Sequence, residues 1–199
     1  MHRIICVLAV VVCAIAKIPS LKERSELIEE LTNLREGVQP EASNMNLLSY
    51  SKEMERVATK WVLQCIGEFP TPRFHEKYPD TGFTFFTSRS RPKFSDAFYH
   101  AGRRGTYNYD NDTCIGSCTN YKQVMWASST KVGCAKKFCR EQNRGIVTCA
   151  FNNAGMQLRP RGRPYESGQS CSKCPSNYTC VHKQCSAMST QQMYTDATA

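Results

Sequence analysis

The sequence predicts an α+β fold held by disulfides. Three observations carry this: apolar residues at helical spacing early in the chain, strand-like alternation late in it, and cysteines scattered from position 65 to position 185. The chain has 199 residues. It opens on His2 and Arg3, continues through an apolar run over residues 4–15, and closes that run on Ala14-Ile-Ala16. A basic start, an apolar middle and a small-x-small end describe a secretory leader over residues 1–16, which puts the mature start at Lys17. The run is shorter than the ~20 apolar residues a helical span needs, and no later segment approaches that length.

Ser20 and Glu23 form a capping-box pattern, and Leu27, Leu31, Leu34 and Val38 follow at three- and four-residue steps until Gly37 and Pro40 stop the helix. A second helix is expected over residues 49–65, with Tyr50, Met54, Val57, Ala58, Trp61, Val62 and Cys65 on its apolar face. Residues 67–93 are rich in Pro, Phe and Arg and show no helical period, although residues 82–87 read as a short strand. Residues 94–104 are expected as a third helix carrying Phe94, Ala97, Phe98 and Ala101 inward. After a loop over residues 105–120, strands are expected over residues 123–138, interrupted at 128–130, and over residues 145–151.

These elements make one domain over residues 17–157. Residues 158–170 read as a linker, because in Leu158-Arg-Pro-Arg-Gly-Arg-Pro164 two prolines and a glycine among like charges favour neither helix nor packing. Cys171, Cys174, Cys180 and Cys185 form a separate small knot over residues 171–185, too short to bury a core without covalent staples. The polar residues 186–199 read as a disordered tail.

Loss of Cys6 and Cys13 with the leader leaves ten of the 12 cysteines, which in an oxidising compartment reads as five disulfides of undetermined pairing. Asn111-Asp-Thr113 and Asn177-Tyr-Thr179 are acceptors for N-glycosylation and agree with secretion. The net charge of +9 falls to +8 without Arg3. Such an excess favours acidic partners, and outside the cell nucleic acid is not one of them. Three clusters concentrate it: Arg89, Arg91 and Lys93; Arg103 and Arg104; and Arg159, Arg161 and Arg163. The plainer reading of each is a solvated run of charge. No Ser-His-Asp order, free nucleophilic cysteine or glycine-rich phosphate loop is present. His75 and His100 read as surface or packing residues, and Glu68 and Glu76 as solvated carboxylates.

Several segments resemble one family. Thr119-Asn-Tyr-Lys-Gln-Val-Met-Trp126 is similar to the Gly-His-Tyr-Thr-Gln-Val-Val-Trp signature of the CAP superfamily, and Lys131-Val-Gly-Cys134 follows it. That superfamily comprises cysteine-rich secretory proteins, insect antigen 5, plant pathogenesis-related 1 and helminth venom-allergen-like proteins. Asn33-Leu-Arg35, Val38-Gln-Pro40, Ala42-Ser-Asn-Met45 and Trp61-Val-Leu-Gln-Cys65 match upstream, and Arg163-Pro-Tyr-Glu-Ser-Gly168 before Cys171 resembles the family's cysteine-rich hinge. Among these groups it resembles the helminth venom-allergen-like proteins. The resemblance implies a three-layer α-β-α sandwich. It also implies disulfides Cys65 to Cys139, Cys114 to Cys118, Cys134 to Cys149, Cys171 to Cys180 and Cys174 to Cys185. Zinc at the hinge cysteines is the alternative, which an oxidising compartment disfavours.

Many members carry two His and two Glu in a central cleft able to hold zinc. Here the aligned positions are Phe69, Phe83, Ala101 and Asn120, none of them a good ligand, so the cleft reads as degenerate, with no metal, no cofactor and no catalysis expected. The resemblance points instead to a secreted, non-enzymatic protein binding a lipid, a sterol or a host protein. Tyr107 and Tyr109 stand where the family carries an aromatic loop linked to sterol binding, and could offer ring faces to a flat hydrocarbon or simply pack the loop. The competing reading is an interaction module for acidic glycans or membrane surfaces through the basic clusters.

Overall fold

Ser20 and Glu23 close a reciprocal capping box. The Glu23 amide donates to Ser20 Oγ at 3.3 Å and the Ser20 amide to Glu23 Oε2 at 2.8 Å, satisfying two donors that a helix start leaves open. Helix α1 (Leu21–Glu36) follows from it. The structure is a computed structural model that describes residues 15–99, 101, 107–154 and 161–188.

The second helix is shorter than its periodicity suggests. Ser49–Tyr50 form strand β1, and Ser51 caps α2 (Lys52–Val62), its hydroxyl accepting from the Met54 amide at 3.3 Å. Tyr50 therefore leaves the helix face and packs against the opposite core, while Cys65 lies past the helix in the left-handed region at φ 55°. Within the stretch expected to be irregular, Thr71 caps a further helix, α3 (Pro72–Lys77), with Pro at its start where no amide partner is needed.

Strand β2 (Gly82–Ser88) lies where the sequence predicts one. The expected third helix is instead a 3₁₀ turn over Ser95–Phe98, although Phe94, Ala97, Phe98 and Ala101 are all buried. Residues 100 and 102–104 lie outside the described residues. The expected loop contains a small hairpin, β3 (Tyr107–Asn108) and β4 (Thr113–Cys114). Gln123 and Val124 belong not to a strand but to helix α4 (Thr119–Val124), so that β5 (Lys131–Cys139) begins later than predicted. β6 (Arg144–Phe151) completes the main sheet.

The sheet order is β1-β5-β6-β2, antiparallel except for the short parallel pair β1 and β5. Alternation along the strands sends side chains into two cores. Val132, Cys134, Val147, Cys149 and Phe151 meet α1, the 3₁₀ turn and α4, whereas Ala135, Cys139, Ile146 and Ala150 meet α2 and α3. Two helical layers enclosing one sheet make an α-β-α sandwich. Leu31 and Trp61, each at 0% exposure, anchor the two sides, and burial of such a side chain stabilises by roughly 1.5–3 kcal/mol.

Five disulfides join Cys65 to Cys139, Cys114 to Cys118, Cys134 to Cys149, Cys171 to Cys180 and Cys174 to Cys185. Cys134 and Cys149 face each other in register across β5 and β6, with Cα atoms 4.0 Å apart. Cys180 and Cys185 sit on a hairpin, β7 (Tyr178–Val181) and β8 (Gln184–Ala187), stapled to Cys171 and Cys174 before it, so Ser186 and Ala187 are strand residues rather than tail. No described helix is long and apolar enough to cross a membrane.

Candidate functional site

Asn120, in the first turn of α4, stands at the signature position. Its side-chain oxygen accepts from the Phe85 amide at 3.0 Å and its side-chain nitrogen donates to the Phe85 carbonyl at 2.9 Å. A carboxamide has an acceptor end and a donor end, and here each makes one bond that clamps α4 to β2. Phe69 lies against the same residue, its ring centroid 5.6 Å from that of Phe85. Phe83, one pleat earlier on the same strand face, is buried against Phe74 at 6.0 Å and His75 at 6.5 Å. Ala101 packs into the other core, beside Tyr107 and Tyr121. Phe69, Phe83 and Asn120 therefore gather around β2, while Ala101 lies in the core on the α4 side of the sheet, across it from Phe83. His75 is a packing residue, 8% exposed, and Glu68 and Glu76 are exposed. Among the described residues, no three His, Cys, Asp or Glu side chains group as metal ligands would.

Tyr107 and Tyr109 turn inward rather than outward. Tyr107 stacks on Tyr121 with centroids 4.5 Å apart, and its hydroxyl donates to Asp112 Oδ1 at 2.8 Å. Tyr109 stacks on Tyr165 at 5.0 Å, donates to the Tyr165 carbonyl at 2.9 Å and accepts from the Ser167 amide at 3.0 Å. Burial and the facing Asp112 carboxylate raise the Tyr107 phenol above its ordinary range, keeping it neutral. Partial burial acts to raise the Asp112 carboxyl, but Lys122 Nζ at 2.6 Å and the Tyr107 hydroxyl outweigh it and hold the group below its ordinary value.

Residues 28–151 match the model of the cysteine-rich secretory protein family, CAP. The chain belongs to the CAP family. The CAP chain is 30% identical over 183 residues to human cysteine-rich secretory protein LCCL domain-containing 2, covering 82% of this chain and 36% of that protein. It is 31% identical over 164 residues to mouse GLIPR1-like protein 1, covering 78% and 68% respectively. Among solved structures, NaASP2 with Zn2+ superposes with a TM-score of 0.65 at 22% identity, covering 85% of this chain and all of that one. BmVAL-1 gives a TM-score of 0.65 at 17% identity, covering 86% and 97%. The chain thus spans about a third of the length of the human relative.

In this CAP protein the segment after the domain is packed down. Pro164 and Tyr165 are buried, and Arg163 donates to the carbonyls of Tyr109 at 2.9 Å and Asp110 at 2.8 Å. That basic residue is committed to the fold, whereas Arg89, Arg91 and Lys93 are exposed. Arg103, Arg104, Arg159 and His100 lie outside the described residues. Asn111 and Asn177 are both exposed. Lys136, Lys137 and Arg140, singled out by no motif, close ranks with Arg91 and Lys93 at one end of the sheet. The signal was available in Lys136-Lys137, because consecutive residues on a strand point to opposite faces and a buried sheet tolerates such a pair only at its rim.

Proposed function

We propose that the chain acts outside the cell as a binding protein and not as a catalyst. The observation that carries this reading is the Asn120 clamp. A zinc site needs three or four converging donor atoms, and Asn120, the only polar side chain among the four cleft positions, offers one neutral oxygen that already accepts from the Phe85 amide. Phe69, Phe83 and Ala101 supply no donor atom, so zinc does not fit this cleft. CAP proteins are typically secreted, and five disulfides suit an oxidising compartment. A leader ending at Ala16 and glycans at Asn111 and Asn177 belong to the same reading.

For the partner, a lipid, a sterol or a host protein is the class that family resemblance supports. A tyrosine platform is the weaker route to it, since Tyr107 and Tyr109 already lie face to face with Tyr121 and Tyr165. Because NaASP2 was solved with Zn2+, the decisive test is metal. Calorimetric titration of the secreted protein with zinc at neutral pH is expected to be flat to micromolar concentrations. One zinc per chain, removable by chelator, would reopen the enzymatic reading.

A further inference from the structure

Arg91, Lys93, Lys136, Lys137 and Arg140 line a concavity where the chain leaves β2 and β5 ends; Ile15 and Ala16, the last residues of the expected leader, close one side of it, so the secreted chain keeps the basic wall in a more open recess. None of the five forms an ion pair among the described residues. Elsewhere on the molecule Arg24, Lys122, Lys173 and Lys183 each have a carboxylate partner. Glu23, which also lines the concavity, and Asp96 act on Lys136 from a distance without an ion pair, and each accepts a backbone amide at 2.8 Å, from Ser20 and Lys93 respectively. Two cations are braced on rings, with Lys136 Nζ 4.2 Å from the Phe94 centroid and the Arg91 guanidinium 5.7 Å from that of Phe138. Lys137 Nζ donates to the Leu63 carbonyl at 3.2 Å, while Lys93 and Arg140 make no side-chain hydrogen bond.

Gathering unpaired like charges costs a fold stability through repulsion and returns nothing unless an anion joins them. We propose that this concavity binds a linear sulfated polysaccharide. Its sulfates meet the ammonium and guanidinium groups, two of which the rings of Phe94 and Phe138 hold in place. Sulfate oxygens accept charge-assisted hydrogen bonds from such donors. A polymer can lay a charged strand into a recess, whereas a flat anionic bilayer cannot follow the walls of one.

The test uses the secreted chain and a heparin decasaccharide at physiological salt. A groove variant, Arg91→Ser, Lys93→Ser, Lys137→Ser and Arg140→Ser together, is compared with a control variant of equal charge, Lys52→Ser, Arg56→Ser, Lys77→Ser and Lys131→Ser. All eight positions lie outside the buried core. The groove variant is expected to bind at least about tenfold more weakly, and the control within about threefold of wild type. Wild-type binding should also fall steeply with salt, since screening shortens to about 3 Å at 1 M. Equal losses in both variants would reduce the effect to net charge and overturn the proposal, as would no loss in either. Binding to vesicles of phosphatidylserine that the groove variant abolishes, with no binding of the decasaccharide, would overturn it in favour of a membrane. Whether the cleft takes zinc has no bearing on these outcomes.

Discussion

Arg35 carries a full charge at 1% exposure. Burial pushes its guanidinium down to about 9, which leaves it protonated at neutral pH. Backbone carbonyls replace the water it has lost: Val124 at 2.6 Å, Asn46 at 2.8 Å, Trp126 at 3.1 Å and Ser129 at 3.5 Å. One planar fork thus ties α1 to the segment between α4 and β5, a task for which a lysine's point charge is poorly shaped. Arg35→Met should cost about 3 kcal/mol or more, because it strands several buried acceptors, and Arg35→Lys somewhat less. Urea unfolding with disulfides intact measures both. At Asn120, Asn120→His is expected to weaken the clamp on Phe85 and still bind no zinc, since one imidazole without further ligands makes no site. The motif Asn33-Leu-Arg35 and the missing His at 120 were legible in the sequence. What surrounds them was not, because the clamp on Phe85 spans 35 positions and three of the four carbonyls around Arg35 lie 89 or more positions away.

Among the elements, β5 shows why local pattern sufficed for some boundaries and failed at others. Its alternation is readable, and so is that of β6. The start of α2 was misplaced because Tyr50 continues the helical spacing by coincidence, while its backbone pairs with Val132. Long-range pairing of that kind leaves no local trace. Gly133 has its reason in the same place: a Cβ there would lie 2.1 Å from the Glu55 amide nitrogen and 2.5 Å from the Ser51 carbonyl oxygen. Both obstacles are backbone at the start of α2, so Gly133→Ala should destabilise by about 1–3 kcal/mol, measurable in the same unfolding assay. The hairpin of β3 and β4 supplies a pH-dependent contribution through Asp112. A carboxylate held below its ordinary value adds stability above the unfolded pKa of about 3.9, and the contribution disappears as pH falls through the lower folded value. The gap in urea midpoint between wild type and Asp112→Asn should therefore be present at pH 7 and close as pH falls below the unfolded value of about 3.9 and through the lower folded one.

Over the whole molecule the disulfides carry the covalent constraints. Cys65 to Cys139 spans a sequence separation of 74, and opening it by Cys65→Ser with Cys139→Ser should cost about 2–5 kcal/mol. Alkylation under non-reducing conditions should label no thiol in the mature secreted chain, and two reactive cysteines would break the framework. The hairpin of β7 and β8 is joined to the domain by more than its staples. The Cys185 amide donates to the Met45 carbonyl at 2.6 Å, the Leu47 amide returns to the Cys185 carbonyl at 2.9 Å, and the Gln184 side chain donates to the Thr32 carbonyl at 3.1 Å. Proline and arginine content in residues 158–164 gave no hint of this, since composition reports local stiffness and charge and not where Tyr165 and Cys185 dock. The timing of biosynthesis follows from that seam. Residues near position 45 emerge from the ribosome about 140 residues before the strand that completes them, so the early layers must wait part-formed, with an open backbone edge, until Cys185 arrives. The seam postpones a step of folding until Cys185 has been made, and a nascent chain halted before it would present that edge to chaperones.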